Sequence, residues 1–233
     1  MMYDLLASYY DALVKDEDAT KSWVKWIESK IQKGDILELA CGSGEITLQL
    51  AKDGFHVTAL DLSEKMIQQA SLKDTEHKIS FHVGNMLDLE GYGMYDAICC
   101  LCDSFNYLLE DKDVEQFFKQ VSEHVKSGGW FFFDTHSLDR LEEFSEEFNE
   151  TGSFEKCDYQ WSITSEDDII YQDFAFYMPN GTIVQEHHMQ RVYDPKWLKE
   201  KLEPYFIIES IKTDFEFEGI CEGEKYFYSC RRK

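Results

Sequence analysis

Short apolar runs and helical stripes alternate through the first part of the chain. Ile36, Leu37 and Leu39 form a run of the kind a buried parallel strand needs, and Phe55, Val57, Ala59 and Leu60 form a second. Residues 79–83, 95–101 and 130–133 continue the series. Between the runs, apolar side chains recur at helical spacing. Trp23, Trp26, Ile27 and Ile31 mark residues 18–31, and Ile46 and Leu50 mark 45–52. Met66, Ile67 and Ala70 follow Ser63 as a cap, and Val114, Phe117, Phe118, Val121 and Val125 follow Asp111 as a cap, stopped at Ser127-Gly128-Gly129. Such alternation predicts an α/β domain on a mostly parallel sheet, with helices on both faces.

The pattern changes after the fifth run. Residues 138–149 are acidic and amphipathic, and 154–164, 168–178 and 183–193 are rich in aromatic and β-branched residues. With Pro179-Asn180-Gly181 as a hairpin turn, these three stretches read as antiparallel strands. Asp194-Pro195 then restarts a helix with Trp197, Leu198 and Leu202, ended by Pro204, and 205–213 and 225–231 read as the last strands. The expected organisation is one α/β domain of residues 1–137 and 194–233, carrying an antiparallel β insert of 138–193 after the fifth strand.

The stretch GDILELACGSGEITLQLAKDGFHVTALD holds the chemistry. Ala40, Gly42 and Gly44 supply a small-residue turn that lets a ligand approach backbone N–H groups. Asp61, about twenty residues on, stands where a ribose-diol acceptor sits in a nucleotide-binding βαβ unit. Thr47 occupies the position where a dinucleotide fingerprint needs its third glycine, and Glu38 puts a carboxylate where a pyrophosphate would be repelled. The pattern therefore suits a nucleoside with a cationic linker, such as S-adenosylmethionine, and disfavours a nicotinamide oxidoreductase.

LELACGSGEIT resembles the first motif of the class I S-adenosylmethionine-dependent methyltransferases, and ALDLSEKMI resembles their second. The likeness continues through Gly84-Asn85-Met86, Tyr95-Asp96-Ala97-Ile98 and Ser127-Gly128-Gly129-Trp130. ASYYDALV and CCLCDSFNYLL resemble a bacterial subgroup of small methyltransferases with an inserted β-sheet. The resemblance implies a Rossmann-like seven-stranded sheet and a methyl donor bound at its strand ends. It implies that Tyr10 reaches over the donor pocket. Leu62 and Met66 line the adenosine or belong to the core, and Asn85, where such proteins often have Asp, accepts from the adenine amino group, with Asp88 as a substitute. Met86 and Leu101 complete the expected cofactor set.

For the acceptor side, Asp103, Ser104 and Asn106 follow the fourth strand, at the position that faces the transferred methyl. Asp103 either polarises the acceptor or caps the next turn. His136, at the end of the fifth strand, either takes a proton from the nucleophile or bonds within a turn. Cys99 and Cys102 have C-x-x-C spacing, yet on a strand they point to opposite faces, and they read as buried thiols rather than a metal or redox pair. On the last insert strand, Gln185, His187 and Arg191 share a face that meets either substrate or a second subunit.

Charge narrows the partners. Against 46 Asp and Glu the chain has 23 Lys and Arg, a net charge of −23, which opposes nucleic-acid or anionic-membrane binding. Seven cysteines, an odd number, and a start without a basic leader suit a reduced cytoplasmic setting. The expected activity is methyl transfer to oxygen or nitrogen of a small molecule. The rival reading is a non-catalytic S-adenosylmethionine-binding or interaction protein, possible as a homodimer through the insert.

Overall fold

The computed structural model describes residues 16–155 and 157–233. Tyr10, with the Tyr-Asp pairs of the first residues, lies outside them. Helix α1, Glu17–Glu28, starts at Asp16, whose carboxylate accepts from the Asp18 and Ala19 N–H groups. Strand β1 is Asp35–Leu39, helix α2 Glu45–Lys52 and strand β2 His56–Asp61. Helix α3 is Glu64–Lys73, capped by Ser63 as expected, and β3 is Ser80–Val83. Strand β4, Tyr95–Cys100, leads into a 3-10 turn, Ser104–Tyr107. Helix α4 is Asp111–His124 and β5 is Val125–His136.

Two expectations fail here. Asp111 does not cap α4, because its carboxylate is engaged by Arg191 at 2.7 Å and Glu110 holds the cap position without a side-chain bond. Nor does Ser127-Gly128-Gly129 stop the helix, since Val125 is already extended and β5 runs through the glycines.

The insert has four strands where three are expected. After a short helix α5, Asp139–Glu143, come β6 Phe148–Ser153, β7 Asp158–Glu166, β8 Ile169–Tyr177 and β9 Ile183–Arg191, each antiparallel to the next. Phe154 does not begin a strand: its N–H donates to Cys157 O at 2.8 Å, which makes it part of the turn joining β6 to β7. Helix α6, Pro195–Leu202, is capped by Asp194. Strands β10 Phe206–Thr213, the two-residue β11 Phe217–Glu218 and β12 Lys225–Arg232 complete the chain's regular elements.

The larger sheet has the order β11-β10-β12-β5-β4-β1-β2-β3. Strands β1 to β5 pair in parallel, while β12 slots antiparallel between β5 and β10. The short β11 is the one addition to seven strands. Alternation along β5 sends Phe131 and Phe133 into one core with Phe117, Phe118 and Leu198, and Phe132 into the other with Trp26, Ile46 and Leu50. Helices therefore cover both faces. The second core is pinned by the Trp26 indole N–H donating to Ser229 Oγ at 3.1 Å. Beyond the carboxyl ends of β1, β2 and β4, one face of the four-stranded sheet encloses a cavity of about 450 Å³.

Candidate active site

One half of the cavity is built from strand ends of the parallel sheet. Ala40 and Gly42 both take positive φ, 54° each, in the turn after β1. Asp61, last residue of β2, accepts from the Gly42 N–H with one carboxylate oxygen and from the Ser63 N–H with the other, both at 2.8 Å. Burial raises its pKa against these two bonds. Met66, Asn85 and Met86 line the same half, with Leu62 at the rim, 73% exposed. Asn85 Oδ1 accepts from the Leu87 N–H at 2.9 Å, which fixes its amide in a local turn and leaves one lone pair of that oxygen. Asp88 turns away to bond the Glu90 N–H.

Three residues expected at the cofactor stand behind the cavity wall. Gly44, φ 82°, starts α2, and a Cβ there would come within 2.9 Å of Ala70 Cβ, so glycine is required for packing on α3. Glu38 is buried under the turn and accepts from Thr47 Oγ at 2.6 Å. Burial, with Asp61 adding to it and Thr47 opposing, pushes Glu38 up to about 7. Thus Thr47, at the missing glycine, serves the carboxylate. Leu101 is core, packed with Trp23 and Phe227.

The other half is assembled from distant segments. Cys102 and Asp103 occupy consecutive left-handed positions, φ 57° and 59°, a conformation that costs a non-glycine residue about 1 kcal/mol or more. The turn is held by side chains: the Asp103 N–H donates to Asp134 Oδ2 at 3.0 Å, and Lys225 Nζ sits 2.6 Å from Asp103 Oδ2 and 3.6 Å from Asp134 Oδ2. Asn106 Nδ2 donates to Arg191 O at 2.6 Å, while its Oδ1 accepts from the His136 N–H at 3.1 Å, clamping β5 to β9. Burial alone would raise Asp103, but the positive charges of His136, protonated in the acid range where Asp103 titrates, and of Lys225 hold its carboxyl at about 2. Burial and the Asp103 charge push Asp134 up to about 8, against Lys225.

The tautomer of His136 follows from a chain of bonds. Gln190 Nε2 donates to the Asp103 carbonyl, an acceptor only, at 3.1 Å, so Gln190 Oε1 is an acceptor. Gln172 Nε2 donates to that oxygen at 2.6 Å, and His136 Nε2, 3.1 Å away, must donate to it as well. His136 Nδ1 is then left with a lone pair. It lies 3.6 Å from Asp103 Oδ1, and both atoms are buried without a hydrogen-bond partner. Burial lowers the His136 pKa, with Asp103 opposing and Lys225 reinforcing, so the imidazole is neutral at pH 7. Two buried acceptors thus face each other across that distance.

Asp103 and His136, singled out in the sequence, therefore meet in one cluster. Lys225 and Gln190 join the cluster without a local sequence signal, Asp134 joins it from the end of β5 beside His136, and β9 turns His188 to the cavity. Its Nδ1 lies 3.5 Å from the Tyr107 hydroxyl, and its ring stands edge-on to Phe174 at 5.8 Å. Gln185 and His187 are exposed on the outer face, and Arg191 is tied to Asp168 and Asp111 at 2.7 Å each. Of the two roles open to the Gln185, His187 and Arg191 face, substrate contact is therefore excluded, and His188 and Gln190 of the opposite face line the cavity. Cys99 is core, whereas Cys102 lines the cavity from its left-handed turn.

The methyltransferase domain family matches residues 36–129. YqeM of Bacillus subtilis (strain 168), provisionally named a methyltransferase, is 34% identical over 100% of this chain and 98% of its own length. A Geobacillus sp. (strain WCH70) protein named in the same way, GWCH70_2453, is 32% identical over 100% of both chains. Among solved structures, an S-adenosylmethionine-dependent methyltransferase from Clostridium acetobutylicum has a TM-score of 0.84 at 26% identity, covering 99% of this chain and 98% of that one. The sugar N-methyltransferase KedS8 from Streptoalloteichus sp. shares the fold, with a TM-score of 0.76 at 19% identity over 100% and 94% of the two chains.

Proposed function

The chain belongs to the class I S-adenosylmethionine-dependent methyltransferases, and on that premise we propose that it methylates oxygen or nitrogen of a small molecule, with His136 Nδ1 as the proton acceptor. The observation that carries this reading is the facing pair of unpartnered acceptors, His136 Nδ1 and Asp103 Oδ1, 3.6 Å apart in residues that line the cavity. An acceptor's O–H or N–H that reaches His136 Nδ1 would give that atom the donor it lacks, beside a carboxylate that stabilises the protonated ring.

The residues of the cofactor half fit the methyl donor. Asp61 carries the one charge among the described residues lining that half, which suits a ligand with cationic groups. Each of its oxygens keeps lone-pair capacity for a ribose hydroxyl beyond its backbone bond. Leu62 and Met66, with Met86 and the Asn85 amide, offer an apolar seat with one polar edge for adenine. S-adenosylmethionine supplies, when bound, an electrophilic methyl on a good leaving group. The protein's own task is then to position the nucleophile, exclude water and accept a proton. Gln190 holds the imidazole in the tautomer that leaves Nδ1 basic. Lys225 keeps Asp103 ionised without adding net charge to the cluster.

No helix among the described residues is long and apolar enough to cross a membrane. The small volume enclosed by the insert supports a small acceptor over a macromolecular one. The test is calorimetric titration with S-adenosylmethionine, S-adenosylhomocysteine and NADH, followed by assay of S-adenosylhomocysteine release over an acceptor panel. Micromolar adenosyl binding with turnover on any small acceptor is the expected result. Binding of the adenosyl ligands without turnover on any acceptor would favour the non-catalytic reading, and binding of NADH alone would overturn both.

A further inference from the structure

Resting on the cofactor and acceptor reading above, we infer that the acceptor is an uncharged aromatic hydroxyl compound, oriented with its hydroxyl under β9 and its flat body against β7 and β8. The inner face of the four-stranded sheet is graded in polarity. Cross-strand pairing aligns Ile163 with Gln172 and Gln172 with His188, and aligns Trp161 with Phe174 and Ile170 with Gln190. Strand β7 thus presents Trp161 and Ile163 to the cavity, with the unpartnered indole N–H as their one polar group, β8 a mixture, and β9 His188 and Gln190. Strand β9 is also the one bonded to the reaction centre, through Gln190 to Asp103 and His136 and through the Arg191 carbonyl to Asn106. The polar end of a bound molecule is directed to His136, and its apolar body to the far strands.

The far wall is aromatic. Trp161 and Phe174 both line it, and their rings stack on one another at 5.2 Å and 14°, which holds the pair in place for an aromatic ring to pack against with little side-chain ordering. Negative charge is excluded. Among the described residues the charged side chains that line this half are Asp103 and Arg140: Asp103 has Oδ2 on Lys225 and leaves Oδ1 unpartnered, and Arg140 is committed to Glu143 at 2.6 Å with its guanidinium over the Phe144 ring at 4.4 Å. A phosphate or a carboxylate would enter a low-dielectric site beside the Asp103 carboxylate, with the Arg140 guanidinium already occupied, a costly desolvation. A phenolic hydroxyl enters neutral. Its oxygen forms the new O–CH3 bond, its proton passes to His136 Nδ1, and the electron pair of the broken S–C bond stays on the donor's sulfur.

The experiment measures binding of 2-naphthol, 2-naphthoate and glucosamine to protein saturated with S-adenosylhomocysteine, in wild type, Trp161→Leu and Trp161→Phe. Naphthol is expected to bind at least about tenfold more tightly than either other probe. Trp161→Leu should weaken naphthol by about tenfold, while Trp161→Phe, which keeps a ring, should stay within about threefold, and S-adenosylhomocysteine affinity should be unchanged in both. Glucosamine or naphthoate binding as tightly as naphthol, or Trp161→Leu binding naphthol as wild type does, would overturn the aromatic-hydroxyl assignment and leave methyl transfer standing. Failure of S-adenosylhomocysteine to bind at all would overturn the underlying cofactor reading together with it.

Discussion

The two halves of the cavity are built in opposite ways. In the cofactor half each contributing segment is a few consecutive residues at a strand end, and its bonds are short in sequence: Asp61 reaches Ser63 two residues away and Gly42 nineteen away. In the acceptor half the bonds join distant segments, with separations of 81 for Tyr107 to His188, 87 for Gln190 to Asp103 and 122 for Lys225 to Asp103. Local geometry therefore serves the part that holds the donor. Long-range assembly builds the half with Asp103 and His136, where β9 is bonded to the residues that end or follow β4 and β5.

Four substitutions test that division. The largest effect is expected from His136→Ala, which should lower kcat by about 100-fold or more while S-adenosylmethionine affinity stays within about twofold, read by product release and calorimetry. A comparable loss of cofactor binding would mean that the halves are not separable. Next, Lys225→Met leaves Asp103 buried without its cation and should cost about 2–4 kcal/mol in urea unfolding. In the same variant Asp103 acts on His136 without the opposing ammonium, so the acid limb of the pH–rate profile should move to higher pH. An unmoved limb would restrict Lys225 to a structural role.

Glu38→Gln probes the cofactor half alone. With Glu38 raised in the fold to about 7, the native state holds a proton that the unfolded chain releases near its ordinary 4.5. Its contribution to stability is full below that value and is lost as pH rises through about 7. Stability of the ligand-free protein should therefore fall by up to roughly 3 kcal/mol between pH 4.5 and 8, with Asp134 adding to the slope, and Glu38→Gln should remove the Glu38 share. A wild-type stability that is flat across this range would contradict the burial argument. The smallest effect is that of Asp61→Ala, a weakening of S-adenosylmethionine by about tenfold, or about 1.4 kcal/mol, with acceptor KM unchanged.

The same contrast explains what could be read from the sequence. Strands β1 to β5, the Ser63 and Asp194 caps and the Asp61 position were legible because apolar runs, caps and a glycine turn are local signals. Gly44 and Glu38 were placed at the ligand because sequence spacing cannot tell a residue that touches the cavity from one that supports its wall. In β9 alternation alone gave two faces and no criterion for choosing between them, since each carries a histidine and a glutamine or glutamate. Burial chose the face of His188 and Gln190. Lys225 carried no signal at all: a lysine near the start of a strand becomes the partner of Asp103 only when β12 lies beside β5, where Lys225 pairs in register with His136.

That register has a kinetic consequence. Strand β12 is flanked by β5 on one side and β10 on the other, so it completes the sheet from its interior rather than extending an edge. Until it is in place, Asp103 and Asp134 face each other with no cation, and ionisation of both opposes closure of the left-handed turn at Cys102 and Asp103. Docking of β12 thus delivers strand pairing and charge neutralisation in a single event of high contact order, the kind that is paid in loop-closure entropy and comes slowly. The turn after β1 needs only local pairing, whereas Asp103 and His136 reach their final surroundings only with β12 in place.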